Sequence, residues 1–124
     1  MVELRLVHQL PEATKEWGWE YHHLGIPTAI VFPDEFYLPR YKFFVSGLST
    51  SPFGIEWMRF ERDSPIHKLI QTMPHLAFVV KYLDFELSPK DFNVLSYPDK
   101  PSDGIRVAII EFNRAPFELM EFSF

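Results

Sequence analysis

His23-Leu24-Gly25-Ile26 and, further along, His75-Leu76-Ala77-Phe78 repeat one order of residues: a histidine, a leucine, a very small residue and a bulky apolar one. A second matched pair follows, Ile55-Glu56-Trp57-Met58-Arg59-Phe60 and Phe117-Glu118-Leu119-Met120-Glu121-Phe122. The order of histidine strand and then glutamate strand therefore occurs twice, as an internal repeat does. Side chains alternate across a strand, so His23 and Gly25 are expected on one face and His22, Leu24 and Ile26 on the other, with Leu24 and Ile26 packing a core. By the same alternation His75 and Ala77 oppose Leu76 and Phe78, Glu56 and Met58 oppose Ile55 and Trp57, and Glu118 and Met120 oppose Phe117 and Leu119. Each strand sets one ionisable side chain beside a small residue or a methionine, away from its bulkiest apolar residues.

Between these markers lie further strand signals. Residues 42–45 and 105–112 are apolar, β-branched or aromatic runs, bounded by Ser46-Gly47, by Ser102-Asp103-Gly104 and by Asn113. Helix signals are weak: 33–40 has room for about a turn, and so does 83–91, which Pro89 interrupts. Residues 62–74 read as a linker between the halves, with Ser64 as N-cap and Pro65 at the first helical position. Residues 9–17 are expected to form a short helix over one end of the sheet. The organisation expected is one domain over 1–124, with a first module at 19–61 and a second at 75–124.

Composition bounds the function. The 124 residues suffice for one compact domain; 47% are hydrophobic and 23% charged, the ordinary globular mix. Aromatics reach 17%, with 13 Phe, and the 11 Pro are scattered as punctuation between short elements, which favours strands. A formal net charge of -5 excludes a general affinity for nucleic acid or anionic membrane, both of which need a clustered positive surface. Small molecules and other proteins remain as partners, a second copy of the chain among them. The amino-terminal stretch lacks a signal peptide's apolar run and no later stretch suits a spanning helix, so a cytoplasmic location is expected. With no Cys, thiolate chemistry and cysteine zinc sites are excluded, and any metal must sit on His, Asp or Glu.

A lone buried carboxylate costs several kcal/mol unless it is paired or metal-bound. Four ionisable groups at matching repeat positions ask for a shared partner. Two neutral imidazoles and two carboxylates carry a charge of -2, which suits Zn²⁺, Ni²⁺, Co²⁺, Mn²⁺ or Fe²⁺ better than Ca²⁺. His22 competes with His23, since only one of the two can face the metal. His8 and His67 lie outside the repeats and read as surface residues. Arg59 falls on the Trp57 side, away from Glu56, which favours a surface ion pair over substrate binding; Arg106 is a second cation near the marker strands. Trp57 reads as core, and Met58 and Met120 as lining a pocket.

The four quoted segments, which in chain order give histidine strand and glutamate strand twice, resemble the marker strands of the vicinal oxygen chelate superfamily, the glyoxalase, bleomycin-resistance and extradiol-dioxygenase group. The resemblance covers roughly 19–124. It implies an α+β fold in which two βαβββ modules form a curled, mixed or antiparallel sheet with a concave pocket, here with shortened helices. It implies that the first-strand histidine and last-strand glutamate of each module, His23, Glu56, His75 and Glu118, hold a divalent metal. The chemistry implied is that of a glyoxalase-like lyase or isomerase acting on a small substrate with adjacent oxygens, with Glu56 or Glu118 as the proton-abstracting base. A metal-free, drug-sequestering binding protein of the bleomycin-resistance type and a non-catalytic assembly or regulatory module are the alternatives.

Overall fold

The computed structural model describes residues 6, 8–88 and 92–123. Its elements, in chain order, are α1 (Glu12–Lys15), β1 (Glu20–Pro27), β2 (Phe36–Leu38), β3 (Phe43–Ser46), β4 (Ile55–Phe60), α2 (Lys68–Thr72), β5 (His75–Val79), α3 (Leu83–Glu86), β6 (Asn93–Ser102), β7 (Ile105–Phe112) and β8 (Ala115–Phe122). All the strands join one eight-stranded sheet in the order β2-β3-β4-β1-β5-β8-β7-β6. The four marker strands are its central four. β1 and β5 run antiparallel at the middle, and each is flanked by the last strand of its own half in parallel, β4 beside β1 and β8 beside β5. This is the α+β fold with a curled mixed sheet that the family resemblance implies.

Apolar side chains close the two halves differently. On the convex face of the second half, Trp19, Val80, Leu83, Ala108, Ile110 and Leu119 form a buried cluster to which α1 contributes Ala13. The Trp19 indole N–H donates to Glu86 Oε1 at 2.9 Å, tying the residue just before β1 to α3. On the concave side, Ile70 of α2 meets Phe43 and Met58 and fills one end of the trough.

The first half carries no helix between β1 and β2. Residues 28–35 form an irregular strap over its convex face instead. Phe32 stacks on Trp57 with centroids 5.7 Å apart, and Arg59 donates to both Glu35 oxygens at 2.8 and 2.7 Å while lying over the Phe44 ring. Arg59 is thus an ion-pair residue, and Trp57 is half-buried under the strap rather than enclosed in a core. The turn of helix expected within 33–40 is corrected to β2, whose Phe36 and Leu38 pair with Val45 and Phe43 of β3. A core-facing role for Leu24 and Ile26 is corrected too: both are only half-buried, and Leu76 beside Leu24 is exposed, because no helix covers them.

Other local readings shift by a few residues. β7 coincides with the expected run, and β3 with most of 42–45. The linker helix starts at Lys68, with His67 as its N-cap: His67 Nδ1 accepts the Leu69 N–H at 3.1 Å. Ser64 lies ahead of it: its hydroxyl donates to the Tyr41 carbonyl at 2.6 Å and accepts the Ile66 N–H at 3.3 Å. Pro89, expected to break the second module's helix, lies outside the described residues; α3 itself is one turn. β7 and β8 are joined through Asn113 and Arg114, both left-handed at φ 50° and 68°. Two positive φ values match the twist of a tight hairpin, but only Asn tolerates this region well. Arg114→Gly should therefore raise stability by about 0.5 to 1 kcal/mol, the relief of the left-handed cost less glycine's greater unfolded-state entropy, read as an upward shift of the urea midpoint.

Candidate metal centre

Strand register assembles the site in two rows across the concave face. Gly25 has Glu56 of β4 as one cross-strand partner and His75 of β5 as the other. Ala77 has His23 of β1 on one side and Glu118 of β8 on the other. The small residue in each histidine motif is thus the centre of a row whose flanks carry the ionisable groups. Gly25 has a steric reason as well. A Cβ there would stand 2.1 Å from His75 Cε1 and 2.7 Å from both ring nitrogens, so the imidazole of one half occupies the space that a side chain on the other half's strand would need.

His23, His75 and Glu118 converge, each offering a donor atom within 4.8 Å of the others. Glu118 Oε1 is 3.2 Å from His23 Nε2 and 3.5 Å from His75 Nε2. Glu56 Oε1 is 4.0 Å from His23 Nε2 and stands to one side of this triad. His22 and His23 are resolved: His23 is the buried member, at 2% exposure, and His22 sits behind it with Nδ1 2.8 Å from His23 Nδ1. His8 is exposed, as expected, and so is His67.

Electrostatics follow from burial and from this convergence. Burial alone would raise the Glu118 carboxyl, but hydrogen bonds and attraction from His23 and His75 hold it down at about 2. Burial pulls His23 down, and its bond to Glu118, with attraction from Glu118 and Glu56, more than reverses this. Glu56 is raised by burial, against attraction from His23 and with repulsion from Glu118. His22 is lowered by burial and by His23, against the pull of Glu118.

The donor set suits a divalent cation. Buried ring nitrogens ordinarily find a hydrogen-bond partner, yet His23 Nε2 and His75 Nδ1 are buried without a well-directed one. Two imidazoles and a carboxylate, with a second carboxylate close by, are borderline-metal ligands. His23, His75 and Glu118 would hold the ion, leaving Glu56 as a fourth ligand or a free base.

His75, Glu56 and Glu118 open onto a cavity of about 600 Å³. Met58 lines it as expected; Met120 is buried and is not among its lining residues. Much of the wall escaped the sequence reading: Tyr97, Pro98 and Asp99 of β6, and Ile66, His67 and Ile70 of the linker. Only the linker's apolar residues carried a signal, since β6 is interrupted by two prolines and does not alternate. At the rim, Arg40 Nη2 and Tyr41 OH both donate to Asp99, at 2.9 Å each, so the first half is tied to β6 beside the cavity. Arg106 is engaged with Asp84 and Glu121 and is not among the cavity's lining residues.

Solved structures share this architecture. A hypothetical protein from Bacillus halodurans C-125 matches with a TM-score of 0.66 at 19% identity, over 86% of this chain and 96% of its own. Methylmalonyl-CoA epimerase from Mycobacterium tuberculosis matches with a TM-score of 0.59 at 18% identity, over 85% of this chain and 89% of its own. The chain has the epimerase's fold. At these identities the likeness is one of fold alone. No protein-family model and no curated protein matches the sequence. Among the described residues no helix is long and apolar enough to cross a membrane.

Two outcomes test the geometry. Gly25→Ala must push the His75 ring away, and zinc affinity measured by calorimetry should fall at least about tenfold, with a stability loss of roughly 1 to 3 kcal/mol from overpacking. Metal must displace the proton that His23 holds below its raised pKa. Zinc affinity should therefore weaken as pH falls from about 7 to about 5, with protons released on binding.

Proposed function

We propose that this protein is a small metal-dependent isomerase or lyase acting on a compact substrate with two adjacent oxygens. The observation that carries the reading is the convergence of His23, His75 and Glu118 at the wall of a largely apolar cavity. A cation of the Zn²⁺, Ni²⁺, Co²⁺, Mn²⁺ or Fe²⁺ type, when bound, supplies Lewis acidity toward the substrate's two oxygens and favours loss of a proton from the adjoining carbon.

The residues of the chain do the rest. Glu118 lies between both imidazoles and orients them. Glu56, on the neighbouring row and offset from the triad, faces the same cavity and is placed to take a proton from the substrate carbon and return it. Tyr41, Phe43, Val107 and Ile109 line the remaining volume with apolar surface, which limits water and holds the substrate's body. An epimerase among the structural neighbours fits this assignment, since epimerisation next to a carbonyl is a proton abstraction followed by return.

Protein purified without chelator should carry about one divalent metal per chain, lost in His75→Ala. Solvent deuterium should enter the carbon next to the carbonyl in a panel of 2-hydroxy ketones and 2-substituted acyl thioesters. Glu56→Gln should keep the metal and slow that exchange by at least about 100-fold. A protein that takes up no metal, or one whose exchange survives Glu56→Gln, would end this reading. The aromatic lining supports one rival, sequestration of an apolar ligand without metal, in which Glu56→Gln and Glu118→Gln leave ligand retention unchanged.

A further inference from the structure

An irregularity in β1 brings together two imidazoles that a regular strand would hold apart. Successive side chains on an unbroken strand project to opposite faces, so adjacent residues do not join their side chains. The pairing with β5 shifts between Tyr21, opposite Phe78, and His23, opposite Ala77, which leaves His22 as the extra residue of a bulge. Its ring lies beside that of His23, with centroids 5.1 Å apart and planes at 75°, and Phe122 flanks it with a centroid at 5.7 Å. The two Nδ1 atoms are 2.8 Å apart, a hydrogen-bond distance.

One proton lies between those nitrogens, so one of them donates and the other accepts. His23 uses its other nitrogen, Nε2, to face Glu118 Oε1 at 3.2 Å. A histidine that ligates a metal presents a lone pair to it, and the hydrogen bond made by its second nitrogen decides which lone pair is available. That partner is ordinarily a carboxylate, a backbone carbonyl or water. In this chain an imidazole fills the place.

We propose that His22 is a positioning residue whose Nδ1 accepts the Nδ1–H of His23, holding His23 in the tautomer that aims its Nε2 lone pair at the metal. The assignment rests on the metal reading above and extends it to a residue outside the ligand set. It also accounts for the bulge, because without the extra residue His22 would face the opposite side of the sheet from His23.

Nitrogen NMR on chelator-treated and on zinc-loaded protein reads the tautomer, and zinc calorimetry reads its consequence. His23 should carry its proton on Nδ1 in both forms, with His22 Nδ1 unprotonated. His23 Nδ1 found without a proton in either form, or a proton on His22 Nδ1 in either form, overturns the proposal. His22→Leu keeps apolar bulk beside Phe122 and should weaken zinc binding about 10- to 100-fold, whereas His22→Asn, whose side-chain oxygen occupies the place of Nδ1, should recover most of that loss. Unchanged affinity in His22→Leu, or an equal loss in both variants, also overturns it. Wild-type protein with the expected tautomer but no zinc uptake would overturn the metal reading and leave the His22–His23 pairing standing.

Discussion

The site depends on one close approach, the His75 imidazole lying on the bare Cα of Gly25. The contact joins the first strand of one half to the first strand of the other at the centre of the sheet. With the ring seated there, its Nε2 stands 3.5 Å from Glu118 Oε1, which in turn is 3.2 Å from His23 Nε2. The pseudo-symmetric row holds Ala77, which has no exposed surface, between His23 and Glu118. Small residues at the two crossing points let four long polar side chains share one short stretch of concave wall. Larger ones would push the imidazoles out of the trough.

Cover on the convex side is unequal, and this sets the character of each half. The second half is closed by α3 and by the amino-terminal α1, with Trp19 and Leu83 sealed inside. The first half has only the strap at 28–35, held by the Phe32–Trp57 stack and the Arg59–Glu35 pair. Leu24, Ile26 and Leu76 therefore stay partly in contact with water, although their pattern is that of a core. The first half makes up some of the loss on the concave side, where Phe43, Met58 and Ile70 pack beneath the linker helix. That placement also narrows the trough into a cavity.

A cluster of two buried imidazoles and a carboxylate is a poor way to stabilise a small sheet. Apolar side chains of similar volume would ordinarily hold such a position as well or better, since each ionisable group must be desolvated first. Glu118 is kept ionised only because both histidines compensate its burial. Glu56, without so direct a partner, is pushed the other way. Two carboxylates of one repeat thus acquire different chemical characters from their surroundings, an asymmetry that a ligand and a proton carrier require.

The repeat was legible in the chain itself, and with it the four central strands, the shared face of His23, His75, Glu56 and Glu118, and the run at 105–112. These are matters of local order and of alternation with a period of two, which a linear pattern records directly. Tertiary structure alone decided the rest. The bulge at His22 arises from register against β5, so it was cross-strand pairing, not alternation, that set the His22 ring beside that of His23. The displacement of Glu56 from the triad depends on where β4 lies beside β1. The strap in place of a helix, the start of α2 at Lys68 and the walls from β6 depend on what each segment meets across the sheet. Gly25 shows the division most plainly: its smallness was visible in the sequence, but the reason for it is an imidazole from the other half of the chain.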